Sequence, residues 1–275
     1  MIGAFRNGER VDAWPLDSRA AHYGDGAFTT LRVHEGRVCW WPQHRARLLA
    51  ACAVLHLAEP DWPALEALLA READGCGAAV VKVVLVAQAC GRGYARTWPS
   101  AVEVFVLLHA LPAAVPAHYR EGVVVAFARQ PLAAADERGI KTLARLAQVL
   151  AAPAASDREV VSCDRDGFVL AAQSANLFAQ FGDVLVTPPV GAGVIAGVTR
   201  GTLLQSPPSG FSARVQPMHR DALLHADALI LCNAVRGFVP VARLGERGYA
   251  RRDAAAALMQ AFHPALGLPV SHRCA

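Results

Sequence analysis

A chain of 275 residues with 54% hydrophobic side chains and a net charge of +4 has enough apolar material for one large core or two modest ones. Its arginines are dispersed, with no basic run, zinc-finger or recognition-helix pattern, which argues against nucleic acid and for a small anionic ligand. Seven cysteines, at 39, 52, 76, 90, 163, 232 and 274, form no Cys-x-x-Cys pair, and neither a leader-like start nor an uninterrupted apolar span occurs, so a cytoplasmic chain with no membrane contact is expected.

Residues 1–111 read as an N-terminal α/β domain. Asn7-Gly8 between Ala4-Phe5-Arg6 and Glu9-Arg10-Val11 predicts a type I′ hairpin. A strand follows from Ala27 to Val33, turned by His34-Glu35-Gly36 into a short partner at Arg37 to Trp40. The period then changes: from Pro42 to Leu57, Leu48, Leu49, Cys52 and Leu55 are expected on one helical face, and Asp61 caps a second helix carrying Leu65, Leu68 and Leu69. Val80 to Val86 and Val102 to Leu108 are β-branched, short and apolar, so they read as buried strands joined through Gly91-Arg92-Gly93-Tyr94.

Residues 112–122, with Pro112 and Pro116, read as an interdomain linker, and 123–275 as a C-terminal domain carrying Lys141. That domain opens with a strand at Val123 to Phe127 and a loop through Asp136 and Glu137. A helix after Lys141 is expected to turn Leu143, Leu146, Val149 and Leu150 inward. Short strands at Val160 to Ser162, Gly167 to Leu170, Asn176 to Ala179 and Val184 to Val186, punctuated by Asp166-Gly167 and Gly182-Asp183, suggest a meander. Gly197-Val198-Thr199-Arg200 should open a helix, and Ala228 to Cys232 a late strand.

Lysine is the scarce resource of this chain, occurring only at 82 and 141 among 27 basic side chains. A primary amine condenses with an aldehyde and a guanidinium does not, which makes Lys141 the leading candidate for covalent catalysis. Gly197-Val198-Thr199 at a helix start offers backbone N–H groups, a hydroxyl and the positive end of a helix dipole, a combination suited to a phosphate ester. No His-Glu-x-x-His or Gly-x-Ser-x-Gly pattern is present, so no metal site or serine triad is expected.

In chain order, Tyr23-Gly24-Asp25-Gly26-Ala27-Phe28-Thr29-Thr30, His44-x-x-Arg47-Leu48, Gly139-Ile140-Lys141-x-Leu143-x-Arg145-Leu146, Ser174-Ala175-Asn176-Leu177-Phe178, Gly197-Val198-x-Arg200 and Cys232-Asn233-Ala234 resemble the fold-type IV pyridoxal-phosphate enzymes, and within them the aminodeoxychorismate lyases. The resemblance implies an α/β protein with an N-terminal α/β sandwich, a C-terminal pseudobarrel, pyridoxal 5′-phosphate between them, and a homodimer acting on a small anionic amine. It implies that Lys141 holds the cofactor and then moves the substrate proton. Arg47, Gly197, Val198, Thr199, Asn233 and Ala234 would hold the phosphate, and Thr29, Arg92 and Tyr94 would meet substrate, Arg92 in the partner chain's pocket. Thr29 stands where transaminases of this fold commonly carry glutamate, which favours the lyase branch.

Three positions depart from the family pattern. Ala171 replaces the glutamate expected to keep the pyridine nitrogen protonated, Ala144 an asparagine, and Ala87 an arginine. Gln173, two residues on, carries no charge. The expectation is therefore a lyase forming 4-aminobenzoate and pyruvate from 4-amino-4-deoxychorismate. A D- or branched-chain amino acid transaminase, and a catalytically altered homologue with a binding role, remain the alternatives.

Overall fold

Asn7 and Gly8 both take positive φ, 48° and 91°, and join β1 (Gly3–Arg6) to β2 (Glu9–Arg10) in the expected hairpin. The computed structural model describes residues 1–91, 93–132, 138–152, 159–191 and 193–270; Arg92, Asp136, Glu137 and Cys274 lie outside the described residues. Two units emerge: residues 1–112 with 140–145, and 113–139 with 146–275. Both are mixed α/β, each built on a curled sheet.

In the first unit, α1 (Arg19–Tyr23) precedes β3 (Gly26–His34) and β4 (Arg37–Val38), followed by α2 (Trp41–Val54), α3 (Trp62–Cys76), β5 (Ala79–Ala87) and β6 (Val102–His109). The antiparallel sheet runs β2-β1-β6-β5-β3-β4. Leu31, Val33, Val81, Val83, Leu85 and Val106 pack against Leu48, Cys52, Leu65 and Leu69 of the two helices. Each such side chain contributes roughly 1.5–3 kcal/mol on burial. Asp61 caps α3 as predicted, accepting from the Ala64 N–H at 2.9 Å. Leu49 does not join the core: α2 buries His44, Leu48, Ala51 and Cys52, a stripe at i, i+4, i+7 and i+8 that leaves Leu49 41% exposed.

The segment around Lys141 also departs from expectation. The Phe28 N–H donates to the Lys141 carbonyl and the Leu143 N–H to the Gly26 carbonyl, both at 2.9 Å, so residues 141–143 extend the edge of β3. Because strand pairing takes these backbone groups, the helix starts only at α5 (Leu146–Ala151), beyond α4 (Pro116–Arg120) and β7 (Val123–Phe127). Of the four apolar residues expected inward, only Leu143 packs, against the cluster of Val84, Val86 and Phe105, while Leu146, Val149 and Leu150 are 69%, 65% and 76% exposed. The same pairing places residues 140–145 with the first unit, not with the C-terminal domain to which the sequence assigned Lys141. The expected linker holds α4, whose buried Tyr119 donates its hydroxyl to the Arg236 carbonyl at 3.1 Å.

The second unit continues with β8 (Glu159–Cys163), β9 (Val169–Ala172), β10 (Asn176–Phe181), β11 (Val184–Thr187), α6 (Val198–Gln205), β12 (Ser212–Val215) and α7 (Arg220–Leu224). Then come β13 (Ala228–Asn233), β14 (Gly237–Leu244), β15 (Arg247–Gly248) and α8 (Asp253–Phe262). The order β12-β11-β10-β13-β14-β7-β8-β9, with β15 on β14, corrects the meander: β9 and β10 are neighbours in sequence but not in the sheet. Local turn signals fix hairpins such as β10–β11, whereas the insertion of β13, β14 and β7 is decided by long-range packing of Val125, Val161, Leu177, Leu229, Leu231 and Val241. Among the described residues, no helix is long and apolar enough to cross a membrane.

Candidate active site

Edge pairing with β3 sets Lys141 beside Phe28, with its Nζ 4.9 Å from the ring centroid. Lys82, the other lysine, puts its Nζ 4.2 Å from the same centroid. The register explains this: Lys82 lies opposite Thr30 and Val84 opposite Phe28, so Lys82 and Phe28 share one face of the sheet on adjacent strands. Burial, then the charges of Arg47, Arg145 and Lys82, push the Lys141 amine down to about 8.

That shift has a definite sign. Burial and neighbouring cations oppose the charged form, so free amine accumulates as pH rises through about 8 instead of through the usual 10.5. At neutral pH this leaves about 300-fold more nucleophilic amine than an ordinary lysine offers. The rate of covalent pyridoxal-phosphate attachment is therefore expected to rise with an inflection near 8 and to level off above it. Absorbance-monitored attachment across a pH series checks this, and an inflection at the ordinary lysine value would contradict it.

Helix α2 carries His44 and Arg47 to the same region, three residues apart on one face. Arg47 donates through Nη2 to Thr29 Oγ1, and His44 Nδ1 meets that hydroxyl at 2.6 Å. Burial, Arg47 and Lys141 hold His44 well below its usual 6.5, so the imidazole is neutral at physiological pH. Arg47 Nε is buried and, among the described residues, unpartnered. Thr29 itself is 0% exposed, with its hydroxyl spent on Arg47 and His44. In the structure the Thr29 hydroxyl supports the Arg47 guanidinium and the His44 ring.

The loop expected to meet substrate is anchored through its backbone. Arg19 donates from Nε to Asp25 at 2.8 Å and from its two terminal nitrogens to the Gly93 and Tyr94 carbonyls at 3.0 and 3.1 Å. Arg96 also reaches Asp25, at 3.0 Å. The Tyr94 ring remains 87% exposed, edge-on to Tyr23.

In the second unit, Gly197 is the N-cap of α6, and Val198 and Thr199 form its first turn. Asn176 donates to the Ile195 carbonyl at 2.9 Å, and a Cβ on Gly197 would fall 1.9 Å from Asn176 Oδ1; only glycine permits this approach. Thr199 is 1% exposed, and its Oγ1 is buried and unpartnered among the described residues. The adjacent Arg200 is buried against the neutral acceptors Thr187 Oγ1 and the Pro188 carbonyl, at 3.2 and 2.8 Å. Asn233 is committed to the β13–β14 turn, accepting from the Val235 and Arg236 N–H groups at 3.0 and 2.8 Å, with Ala234 inside the loop these bonds close.

These residues fit a phosphorylated aldehyde. In the first unit, Arg47 Nε is an unspent polar atom among the described residues and Lys141 a partly deprotonated amine; in the second, Thr199 Oγ1 is unspent among the described residues at the start of α6. The missing carboxylate is not replaced from the adjoining strand. Ala171 faces Ser162 across β8 and β9, and Glu159 of β8 is committed to Arg236 and to Ser174, whose N–H and hydroxyl reach it at 2.8 and 2.6 Å. His44, Lys82 and Asn176 escaped the sequence reading as site residues. The signals were present: His44 shares a helical face with Arg47, Lys82 is the one charge within the apolar run of β5, and Asn176 begins a strand next to the glycine helix start.

Comparison with known proteins bears on the same elements. The chain matches the Amino-transferase class IV family over residues 26–244. It is 31% identical over 244 residues to an aminodeoxychorismate lyase of Vibrio harveyi, covering 82% of this chain and 86% of that one. A bifunctional aminodeoxychorismate lyase and D-amino acid transaminase of Mycobacterium tuberculosis is 27% identical over 69% of this chain and 71% of its own. The crystal structure of 4-amino-4-deoxychorismate lyase from Pseudomonas aeruginosa superposes with a TM-score of 0.87 at 27% identity, covering 95% of this chain and 98% of that chain.

Proposed function

The chain belongs to the amino-transferase class IV family, and we propose that it is a pyridoxal-phosphate-dependent aminodeoxychorismate lyase, cleaving 4-amino-4-deoxychorismate to 4-aminobenzoate and pyruvate. The observation that carries this reading is Lys141, an amine lowered to about 8 beside Phe28 and Arg47. The cofactor, once bound, supplies an electron-withdrawing system conjugated to the substrate nitrogen. Lys141 would hold its aldehyde, and Arg47 of the same unit would bind its phosphate. Lys141 then takes the ring proton as the carbon–oxygen electron pair leaves with enolpyruvate, which becomes pyruvate on protonation.

Ala171 supports a lyase over a transaminase. Elimination here creates an aromatic product whose stability drives the reaction, so it tolerates a weaker electron sink than amino-group transfer does. The likeness to the bifunctional relative keeps D-amino acid transamination as the second reading. We take the working unit to be a homodimer, a reading supported by the apolar side chains that Leu146, Val149 and Leu150 leave exposed.

The test is direct. Purified protein incubated with pyridoxal phosphate should develop a visible absorption band, then release pyruvate and 4-aminobenzoate in equal amounts from 4-amino-4-deoxychorismate. Amino transfer to a 2-oxo acid without pyruvate release would overturn the lyase reading. An inert wild type revived by Ala171→Glu would instead identify a degraded site.

A further inference from the structure

A histidine interrupts the apolar stripe of α2. His44 lies on the buried face with Leu48, Ala51 and Cys52, is 0% exposed, and leaves its Nε2 buried and unpartnered among the described residues. Burying an imidazole with one nitrogen unsatisfied lowers stability in a way that a leucine at the same place would not, so its presence calls for a reason. Its other nitrogen meets Thr29 Oγ1 at 2.6 Å, and the same hydroxyl accepts from Arg47 Nη2.

What each group can offer fixes the direction of these bonds. A guanidinium only donates, so the Thr29 oxygen accepts from Arg47. Burial, Arg47 and Lys141 keep His44 well below 6.5, so its ring is neutral and carries a single N–H. With that proton on Nδ1, Thr29 would face two donors and its own hydroxyl proton would be left without an acceptor. With the proton on Nε2, Thr29 donates to Nδ1 and both contacts are satisfied. The row therefore runs from Arg47 through Thr29 to His44, each group polarising the next.

The row ends on a neutral group, and that decides what happens to the charge at its head. Burial is the one cause that lowers Arg47, to about 10, and no carboxylate offsets it among the described residues. A carboxylate in the place of His44 would orient the guanidinium equally well but would pair with it and cancel much of its charge. An imidazole orients without cancelling, so the charge stays available to a ligand and to Lys141, which Arg47 pushes down. The unpartnered Arg47 Nε belongs to the same planar fork, so a bond at Nη2 also fixes the direction of Nε.

We propose that His44 is a positioning residue for the phosphate ester of the cofactor: through the Thr29 hydroxyl it locks the plane of the Arg47 guanidinium, which then meets the phosphate already oriented. The inference rests on the proposed function in taking Arg47 as the phosphate ligand. His44 makes and breaks no covalent bond and moves no proton, so its contribution falls on binding and not on the proton transfer assigned to Lys141.

The experiment measures equilibrium binding of pyridoxal 5′-phosphate and of pyridoxal, which has the same ring and aldehyde without the phosphate, to full-length protein. The variants are His44→Phe, which keeps a ring and loses the acceptor, His44→Asn, which keeps an acceptor at the Nδ1 position, Thr29→Val, Arg47→Met, and His44→Phe combined with Arg47→Met. Wild type should prefer the phosphate ester. His44→Phe and Thr29→Val should each lower that preference by about two- to tenfold, and His44→Asn should keep most of it. Once Arg47 is methionine, His44→Phe should remove no further preference, because the two residues act as one unit. A preference unchanged in His44→Phe overturns the proposal alone, as do equal losses for both ligands, additive losses in the double variant, or failure of His44→Asn to retain the preference. If His44→Phe does not fold, Thr29→Val decides, and an unchanged preference there overturns the proposal as well. A wild type that binds neither aldehyde, or binds both equally, overturns the proposal and the functional reading together.

Discussion

Replacing Lys141 with alanine is expected to give a folded protein that gains no cofactor mass on borohydride reduction and turns over roughly a hundred- to ten-thousandfold more slowly, the range that loss of a positioned proton-transfer group produces. The fold should persist because the bond from the Phe28 N–H is made to the backbone carbonyl of residue 141, not to the amine. Lys141→Arg should fail equally, since a guanidinium preserves charge but neither condenses with an aldehyde nor gives up a proton near neutrality. With lysine only at 82 and 141, peptide mapping of the reduced wild type has an unambiguous readout. A cofactor adduct on Lys82, or turnover surviving in Lys141→Ala, would contradict the assignment.

Arg47→Met should act on two observables at once. A charge-assisted hydrogen bond contributes about 1.5–3 kcal/mol, so affinity for pyridoxal phosphate is expected to fall by about ten- to a hundredfold. Arg47 is also the leading cationic influence on Lys141 after burial, so its removal should move the inflection for covalent attachment above 8. Equilibrium titration measures the first effect and the pH series the second. Weakened binding with an unmoved inflection would mean that Arg47 holds phosphate without tuning the amine.

Much of the local structure was legible because its determinants are local. The Asn7-Gly8 hairpin, the Asp61 cap, the apolar runs of β5 and β6 and the Gly197 helix start each depend on a few neighbouring residues. The two larger failures share one cause, which is competition from distant chain. Residues 141–143 carry helical spacing yet pair with the start of β3, and β9 is separated from β10 by four strands, β13, β14, β7 and β8. Lys141 and Arg47 in the first unit, and Thr199 in the second, declared themselves by residue type and motif. Lys82 did not, because its importance arises from register: only the alignment of Lys82 with Thr30 brings it to Phe28. Thr29 was legible as a marker but not as a support, since the strand-to-helix contact with His44 and Arg47 leaves no periodic trace.

The short stretch that lends its backbone to the rim of β3 also dictates how the chain can be divided. Because residues 140–145 return to the first unit from within the second, a fragment severed at residue 112 would lack the last ribbon of its own sheet. The amide of Phe28 and the carbonyl of Gly26 would then stand open to any passing extended peptide, an invitation to self-association. Interleaving of this kind makes the two halves poor candidates for separate production, and circular permutants should place their new termini well away from that returning ribbon.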